Sequence, residues 1–207
     1  MPDYDKIYLF RITHIENVPH ILENGITHVD SVNKNPDYVA IGDNSLINRR
    51  KFLFTPNGKS LGEYIPFYFG IRMPMLYIVQ NGYHNVIKRN PDEIVYCISS
   101  VQKILELNIP FYFTDGHAVD AYSDYYDQDR ISEINDIIDK KAINAKYWTD
   151  EKDLDLKRRK EAEFLIEKDV PITGILGFAV YSEAANSKMT DYGVDEDKVI
   201  IKKKFYF

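Results

Sequence analysis

The sequence predicts a single mixed α+β domain, and three observations carry that expectation. The chain has 207 residues, enough for one substantial core and short for two. Strand-like runs rich in β-branched and aromatic residues recur along it without a helix regularly between them, which argues against a doubly wound parallel sheet. No internal repeat or low-complexity linker divides it.

The elements follow in order. Residues 7–14, Ile-Tyr-Leu-Phe-Arg-Ile-Thr-His, read as a first strand. Ile15, Val18, Ile21 and Leu22 then share one helical face, with Pro19 tolerated in the first turns and Gly25 placed to end the helix. Residues 28–39, rich in Asn, Asp, Ser and Pro, form a long loop. A short basic helix over 41–52 ends in Arg49-Arg50-Lys51. The strand at 64–70 contains Pro66, which suggests a sheet edge or a strand start because proline cannot donate to a ladder. Residues 73–80 are a helix with Pro74 in its first turn, and the apolar run 93–99 is a central buried strand. A short helix over 101–107 and a strand over 109–114 come next. Residues 115–129 show several Asp, three Tyr and no period, so they form a long loop of the kind that usually carries function. Ile131, Ile134, Ile137 and Ile138 predict a helix over 130–141. A charged helix over 154–160, strands at 162–166 and 172–181, a helix over 182–190 and an alternating strand at 199–207 complete the chain.

Composition narrows the function classes. There are 16 Tyr and 11 Phe against a single Trp. Tyr joins a stackable ring to a polar tip, so it suits a groove for rings or bases as well as sheet packing. A net charge of −6, from 26 Lys and Arg against 32 Asp and Glu, argues against a protein that coats long polyanions and leaves room for a local basic groove. Cys97 is the only cysteine, so no intramolecular disulfide and no cysteine-based metal site can form. Five scattered histidines without HExxH spacing give no reason to expect a metal. The polar N-terminus has no signal-peptide pattern and no run approaches a membrane span, so a cytoplasmic location without a membrane partner is expected. The phosphate cradles GxGxxG and GxxxxGK are absent, as is a GxSxG elbow, and Cys97 lies in a buried strand, so nucleophilic hydrolysis has no support.

The candidate chemistry centres on Lys157-Arg158-Arg159-Lys160, which runs directly into Glu161 and Glu163. The spacing of two puts both carboxylates on one side of an extended segment. They either hold a ribose hydroxyl beside a phosphate-rich ligand or are a charged helix end feeding a core strand. Arg49 and Arg50 either clamp a diphosphate bidentately or form a solvated helix face. His14 closes the first strand, and His117 follows a strand on a glycine turn, where side chains are presented to ligands. Tyr68 and Tyr77 sit in apolar context that also suits core packing.

Seven motifs in order join these candidates. They are Ile12-Thr13-His14-Ile15-Glu16-Asn17, Arg49-Arg50, Pro66-Phe67-Tyr68-Phe69, Pro74-Met75-Leu76-Tyr77, Phe113-Thr114-Asp115-Gly116-His117, Tyr147-Trp148 and Ala162-Glu163-Phe164-Leu165. Together they span nearly the whole chain, and in this order the sequence resembles the DarT-type DNA ADP-ribosyltransferases, toxin components of bacterial toxin–antitoxin pairs. The resemblance implies an ADP-ribosyltransferase-like domain with a split, mainly antiparallel sheet that grips NAD+ as co-substrate. It implies transfer of ADP-ribose to a thymine base in single-stranded DNA in a short sequence context, with release of nicotinamide. It also implies a macrodomain-type, DarG-like antitoxin as partner. Glu163 matches the catalytic glutamate, while Glu161 is a neighbour that no relative requires and that solvent can accommodate. Arg11, Ile12, Thr13, His14 and Tyr68 match the NAD+ site. Arg50 matches a residue that serves both NAD+ binding and the acceptor proton, and His117 matches one beside the acceptor base. Residues 115–156 correspond to the substrate loop, and Arg72, Met75, His117, Tyr147, Arg158 and Arg159 are the expected DNA contacts. This chain departs from its relatives at Ile71-Arg72-Met73-Pro74-Met75-Leu76, where they often read Pro-Arg-Ser-Pro-Met-Leu, and in the acidity of the 115–129 loop. Guanine, RNA or protein as acceptor, or a non-catalytic single-strand binding module, are the competing readings; binding alone would not demand Glu163.

Overall fold

A computed structural model of the chain describes residues 2–207. Strand β1 (Tyr8–His14) leads through a 3-10 turn, Ile15–Asn17, into helix α1 (Val18–Asn24). Gly25 ends α1 at φ +77°, and a side chain there would drive its Cβ to 2.2 Å from the Val170 carbonyl oxygen. A long irregular segment precedes α2 (Asn44–Arg50), whose N-cap Asp43 accepts from the Ser45 amide. β2 (Tyr64–Tyr68), α3 (Pro74–Asn81), β3 (Ile94–Ser100), α4 (Val101–Leu107) and β4 (Phe111–Thr114) follow.

Beyond them lie β5 (Tyr125–Tyr126), α5 (Ile134–Ile137), α6 (Lys140–Asn144) and α7 (Leu156–Lys160). The chain closes with β6 (Glu163–Glu167), β7 (Gly177–Val180), α8 (Glu183–Asp191) and β8 (Val199–Ile201).

The eight strands form one sheet in the order β5-β4-β6-β2-β1-β3-β7-β8. Every neighbouring pair is antiparallel except β7 and β8. β1 and β3 pair continuously from Tyr8↔Ser100 to His14↔Ile94, and β2 and β6 from Tyr64↔Glu167 to Tyr68↔Glu163. Between β1 and β2 a single pair, Phe10↔Tyr68, holds the register. The sheet is therefore two half-sheets hinged at one bridge, the split arrangement that the resemblance implies.

That split explains Pro66. The sheet order puts β2 in the interior, where a proline should cost a ladder hydrogen bond. The Pro66 carbonyl instead accepts from Arg11 Nη1 at 2.9 Å, so the polar side of Pro66 faces the gap toward β1, where no ladder is lost. The expected edge strand is an edge facing inward.

Apolar packing fixes both faces. Behind the sheet Phe164 is fully buried and stacks on Phe111 at a centroid distance of 4.5 Å, with Phe113 on its other flank. Removing so enclosed a ring typically costs about 3–5 kcal/mol. In front, Ile12, Tyr68, Met73, Leu76 and Tyr96 form a second cluster, and Leu61, Tyr64, Ala118, Val119 and Leu165 a third. The floor on which β6 presents Glu163 is thus packed on both sides.

Four expected elements differ, the first being the loop expected over 115–129, where Tyr125 and Tyr126 pair with Thr114 and Phe113 as strand β5. The helix expected over 130–141 is broken into a 3-10 segment, Gln128–Glu133, and the short helices α5 and α6, because Asp139 caps a new helix by accepting from the amides of Lys141 and Ala142. The strand expected over 172–181 starts only at Gly177, after a 3-10 turn at Ile172–Gly174. The closing strand ends at Ile201, and its last residues turn inward to bury Tyr206, whose hydroxyl donates to the Ile94 carbonyl at 2.8 Å.

Candidate active site

Glu163 is the first residue of β6, and its side chain is completely buried. It is nonetheless compensated. Oε2 accepts from Arg50 Nη1 at 2.9 Å, and Oε1 accepts from the Ala118 backbone N–H at 2.9 Å. His117 Nε2 stands 3.7 Å from Oε1. The Glu163 amide is tied in turn, donating to Thr114 Oγ1 at 3.1 Å, while that hydroxyl donates to the Gly116 carbonyl at 2.6 Å. One carboxylate is thereby fixed by three separate segments: the end of α2, the turn after β4, and β6 itself.

Arg50 carries a second signal. Its Nη2 is buried and has no hydrogen-bond partner among the described residues. Buried donors are nearly always paired, so one beside a fixed carboxylate points to a missing acceptor oxygen. Tyr68 lies directly across the ladder from Glu163, and burial, reinforced by the Glu163 charge, pushes its phenol well above the ordinary tyrosine range. Tyr125, whose hydroxyl donates to the Ala118 carbonyl, is pushed up to about 12 by burial. These phenols remain neutral donors at physiological pH.

Arg158 assembles the turn that carries His117. Its Nη1 donates to Asp115 Oδ1 at 3.0 Å, its carbonyl accepts from the His117 amide at 2.9 Å, and Nε and Nη2 form a fork on Asp155. Gly116 lies beneath the guanidinium, and a Cβ there would fall 2.5 Å from Arg158 Nη1. Arg159 is held by Asp139, Asp153 and Asp155, and Lys160 is buried with Nζ donating to the Ile143 and Ala145 carbonyls at 2.9 and 2.7 Å. The basic run is largely an internal brace of the segment 115–156, with Lys157 its exposed member. Glu161 is also not where solvent would place it. It is buried, and burial raises its carboxyl above the usual range, opposed by His117 and Lys157 nearby.

The first strand builds the opposite wall. Thr13 Oγ1 accepts from Asn17 Nδ2 at 3.0 Å, and the same buried amide exchanges bonds of 2.9 Å with the backbone of Val39, suturing the long loop after α1 onto the end of β1. His14 is buried. Nδ1 accepts from the Glu16 amide at 3.2 Å, and Nε2 faces Glu93 Oε1 at 3.4 Å. Burial lowers its pKa, so the ring is neutral at physiological pH, and both of its nitrogens are engaged. Ile12 packs beside Tyr68, and Arg11 bridges to Pro66. Reading along the sequence did not single out Asn17, Glu93, Thr114 or the Ala118 amide as site groups. Asn17 and Thr114 lie within motifs already singled out, whereas Glu93 and the Ala118 amide act through contacts that no local pattern encodes.

Of the expected DNA contacts, Arg158 is joined to the His117 turn, while Arg72, Met75 and Tyr147 belong to other segments. Arg72 donates through Nε and Nη2 to the Tyr206 carbonyl and lies 5.1 Å over the Phe207 ring. Met75 is half-buried on α3. Tyr147 is exposed, with the Lys146 ammonium 5.2 Å from its ring.

Residues 10–207 match the family described as "ssDNA thymidine ADP-ribosyltransferase, DarT". The chain belongs to this family. The DNA ADP-ribosyl transferase of Escherichia coli O127:H6 is 31% identical over 192 residues, covering 90% of this chain and 86% of that one. The structure of Thermus sp. 2.9 DarT in complex with ADP-ribosylated ssDNA superposes with a TM-score of 0.85 at 30% identity, covering 100% of this chain and 98% of that one. The same Thermus protein in complex with NAD+ gives 0.81 at 29% identity, with 100% and 99% covered. A Thermosipho africanus fusion of a DNA ADP-ribosyl transferase and a DNA ADP-ribosyl glycohydrolase is 33% identical over 165 residues, 78% of this chain and 39% of the fusion. This DarT-family chain is an NAD+-dependent DNA ADP-ribosyltransferase. Among the described residues no cluster of His, Cys, Asp or Glu is arranged to hold a metal, and no helix is long and apolar enough to cross a membrane.

Proposed function

We propose that the chain transfers ADP-ribose from NAD+ to the ring nitrogen of a thymine in single-stranded DNA, with Glu163, Arg50 and His117 as its working groups. The observation that carries this assignment is the fixed Glu163–Arg50 pair with an unpartnered buried nitrogen beside it.

NAD+ enters against the end of β1, where the backbone of Arg11, Ile12, Thr13 and His14 meets the nicotinamide riboside and Tyr68 packs against it. Loss of nicotinamide breaks the bond from ribose C1′ and leaves positive charge on the sugar ring. Glu163 accepts the ribose 2′-hydroxyl and stabilises that cation, and a contact of this preorganised kind is worth roughly 100-fold or more in rate. The thymine ring nitrogen then bonds to C1′ and must lose its proton. Arg50 is permanently protonated and cannot take it. Its free Nη2 instead hydrogen-bonds the base oxygen on which negative charge gathers, and His117, 3.7 Å from Glu163, receives the proton directly or through water.

Arg72, Met75, His117 and Tyr147 line the path of the strand, with exposed Tyr147 available to stack on a base. Arg158 and Arg159 serve the DNA through the loop they brace. A macrodomain-type antitoxin that removes the mark is the expected partner, in keeping with the transferase–glycohydrolase fusion of the Thermosipho relative, and the cytoplasm is the expected site of action. The test is incubation with NAD+ and short DNA and RNA oligonucleotides, read by mass spectrometry. One added ADP-ribose on thymine-containing single strands is expected; adducts on RNA or protein alone would overturn the acceptor assignment.

A further inference from the structure

The sheet is open on both sides of the Phe10↔Tyr68 bridge, and on the side away from Arg11 lies a half-open cavity of about 430 Å³. Four aromatic residues line it: Tyr8 and Phe10 of β1, Phe69 just after β2, and Phe205 near the C-terminus. The rim is polar, with Asn135 and Asn144 beside Lys140; Lys6, also there, is paired with Asp3 at 2.7 Å. No step of the proposed reaction uses this space.

We infer that this cavity receives a second base of the DNA strand, one flanking the acceptor thymine. This rests on the proposed reaction and adds to it a determinant of sequence context. Three features point to a base. Its volume lies at the lower end of small-ligand sites, roughly 300–1,000 Å³, and exceeds what one ring needs. Its walls join four rings, on which any base can stack, to isoleucine side chains, and the Asn135 and Asn144 amides can reach a base's polar edge. Its place is also right. Phe10, Tyr68 and Glu163 are successive partners across the sheet, so with strands about 4.8 Å apart the Phe10 backbone at the cavity lies about 10 Å from the Glu163 backbone. That is about three stacked base steps of about 3.4 Å each. Lys140 supplies the charge that a phosphate beside the bound base requires.

The test pairs a cavity-filling substitution with abasic DNA. Asn144→Trp occupies the rim from α6, and Asn135→Trp does so from α5, so a folding defect in one leaves the other. Each is assayed with oligonucleotides holding one abasic site at successive positions around the acceptor, after NAD+ affinity has been shown to match wild type. One position is expected at which base removal slows wild type by about 10-fold, within the contribution of one base–aromatic stack. The Trp variants should be about as slow on intact DNA and lose nothing further at that position. Equal rates for variants and wild type on every oligonucleotide, or losses that simply multiply at all positions, would overturn the assignment. So would unchanged DNA rates with weakened binding to a macrodomain antitoxin, which would give the cavity to that partner. Absence of DNA labelling by wild type would instead refute the proposed reaction, a distinguishable result.

Discussion

Glu163→Gln is the sharpest perturbation of this site, because it preserves shape and removes only charge and one acceptor. In the native site both carboxylate oxygens accept, one from Arg50 Nη1 and one from the Ala118 amide, each at 2.9 Å. An amide offers one oxygen, so its NH₂ must face a donor whichever way it is turned. If the oxygen stays on Ala118, the Arg50 guanidinium loses its only carboxylate partner. Removing one member of an enclosed ion pair costs about 3–5 kcal/mol, and because Arg50 keeps some contact with solvent the expected loss is nearer 2 kcal/mol. For a domain of this size that lowers Tm by about 4–8 °C. The catalytic loss is separate and larger. The amide cannot stabilise a cationic ribose as the carboxylate does, so single-turnover transfer to a thymine oligonucleotide should fall about 100- to 1,000-fold. Transfer is followed by mass spectrometry and stability by thermal melting. A variant that melts lower yet transfers within tenfold of wild type would show that Glu163 holds the site together without acting on the sugar.

Further predictions concern the groups around it. Lowering the pH below about 6.5, the ordinary histidine value, should lower Tm: burial depresses the folded pKa of His14, so the unfolded chain takes the proton first and stability falls with falling pH. A His14→Gln variant whose Tm keeps the wild-type slope between pH 5 and 7 would contradict this. Glu161→Gln should stabilise the protein more at pH 8 than at pH 5, because its raised folded pKa makes ionisation at higher pH a penalty borne by the native state; melting curves at the two values decide it. Asp115→Asn weakens the Arg158 contact that assembles the His117 turn, so DNA transfer should drop about tenfold while NAD+ affinity, measured by calorimetry, stays within twofold. Parallel losses in both quantities would mean that the turn supports the NAD+ site as well.

Periodicity carried most of the elements. The span 101–107 is helical as its sequence implies, and β1 and β3 lie within a residue or two of their apolar runs. It failed where side chains rather than periods set the boundaries. Ile131, Ile134, Ile137 and Ile138 have helical spacing, yet the Asp139 cap restarts the helix. The strand expected over 199–207 alternates well enough, but Tyr206 gains more by burying its ring and bonding two carbonyls than β8 would gain from further ladder. Four consecutive cations look alike in the sequence, yet Arg158 and Arg159 are ion-paired with Asp115, Asp139, Asp153 and Asp155, up to 43 positions away, while Lys160 is buried on two carbonyls and Lys157 is exposed.

The split in the sheet links these observations. A continuous β1–β2 ladder would place a strand-to-strand hydrogen bond where Pro66 has no N–H to give, and it would close the space beside Tyr68 and Glu163. Arg11 holds the two half-sheets in register with a side chain instead, reaching the Pro66 carbonyl across the gap. Pro66 and the Arg11 side chain therefore act as positioning groups, keeping open the cleft on which the proposed chemistry depends. Pro66→Val restores the missing donor and favours more ladder, so it should raise Tm while raising KM for NAD+. A variant that gains stability with KM unchanged would show that the cleft is kept open by packing on its faces and not by the interruption at Pro66.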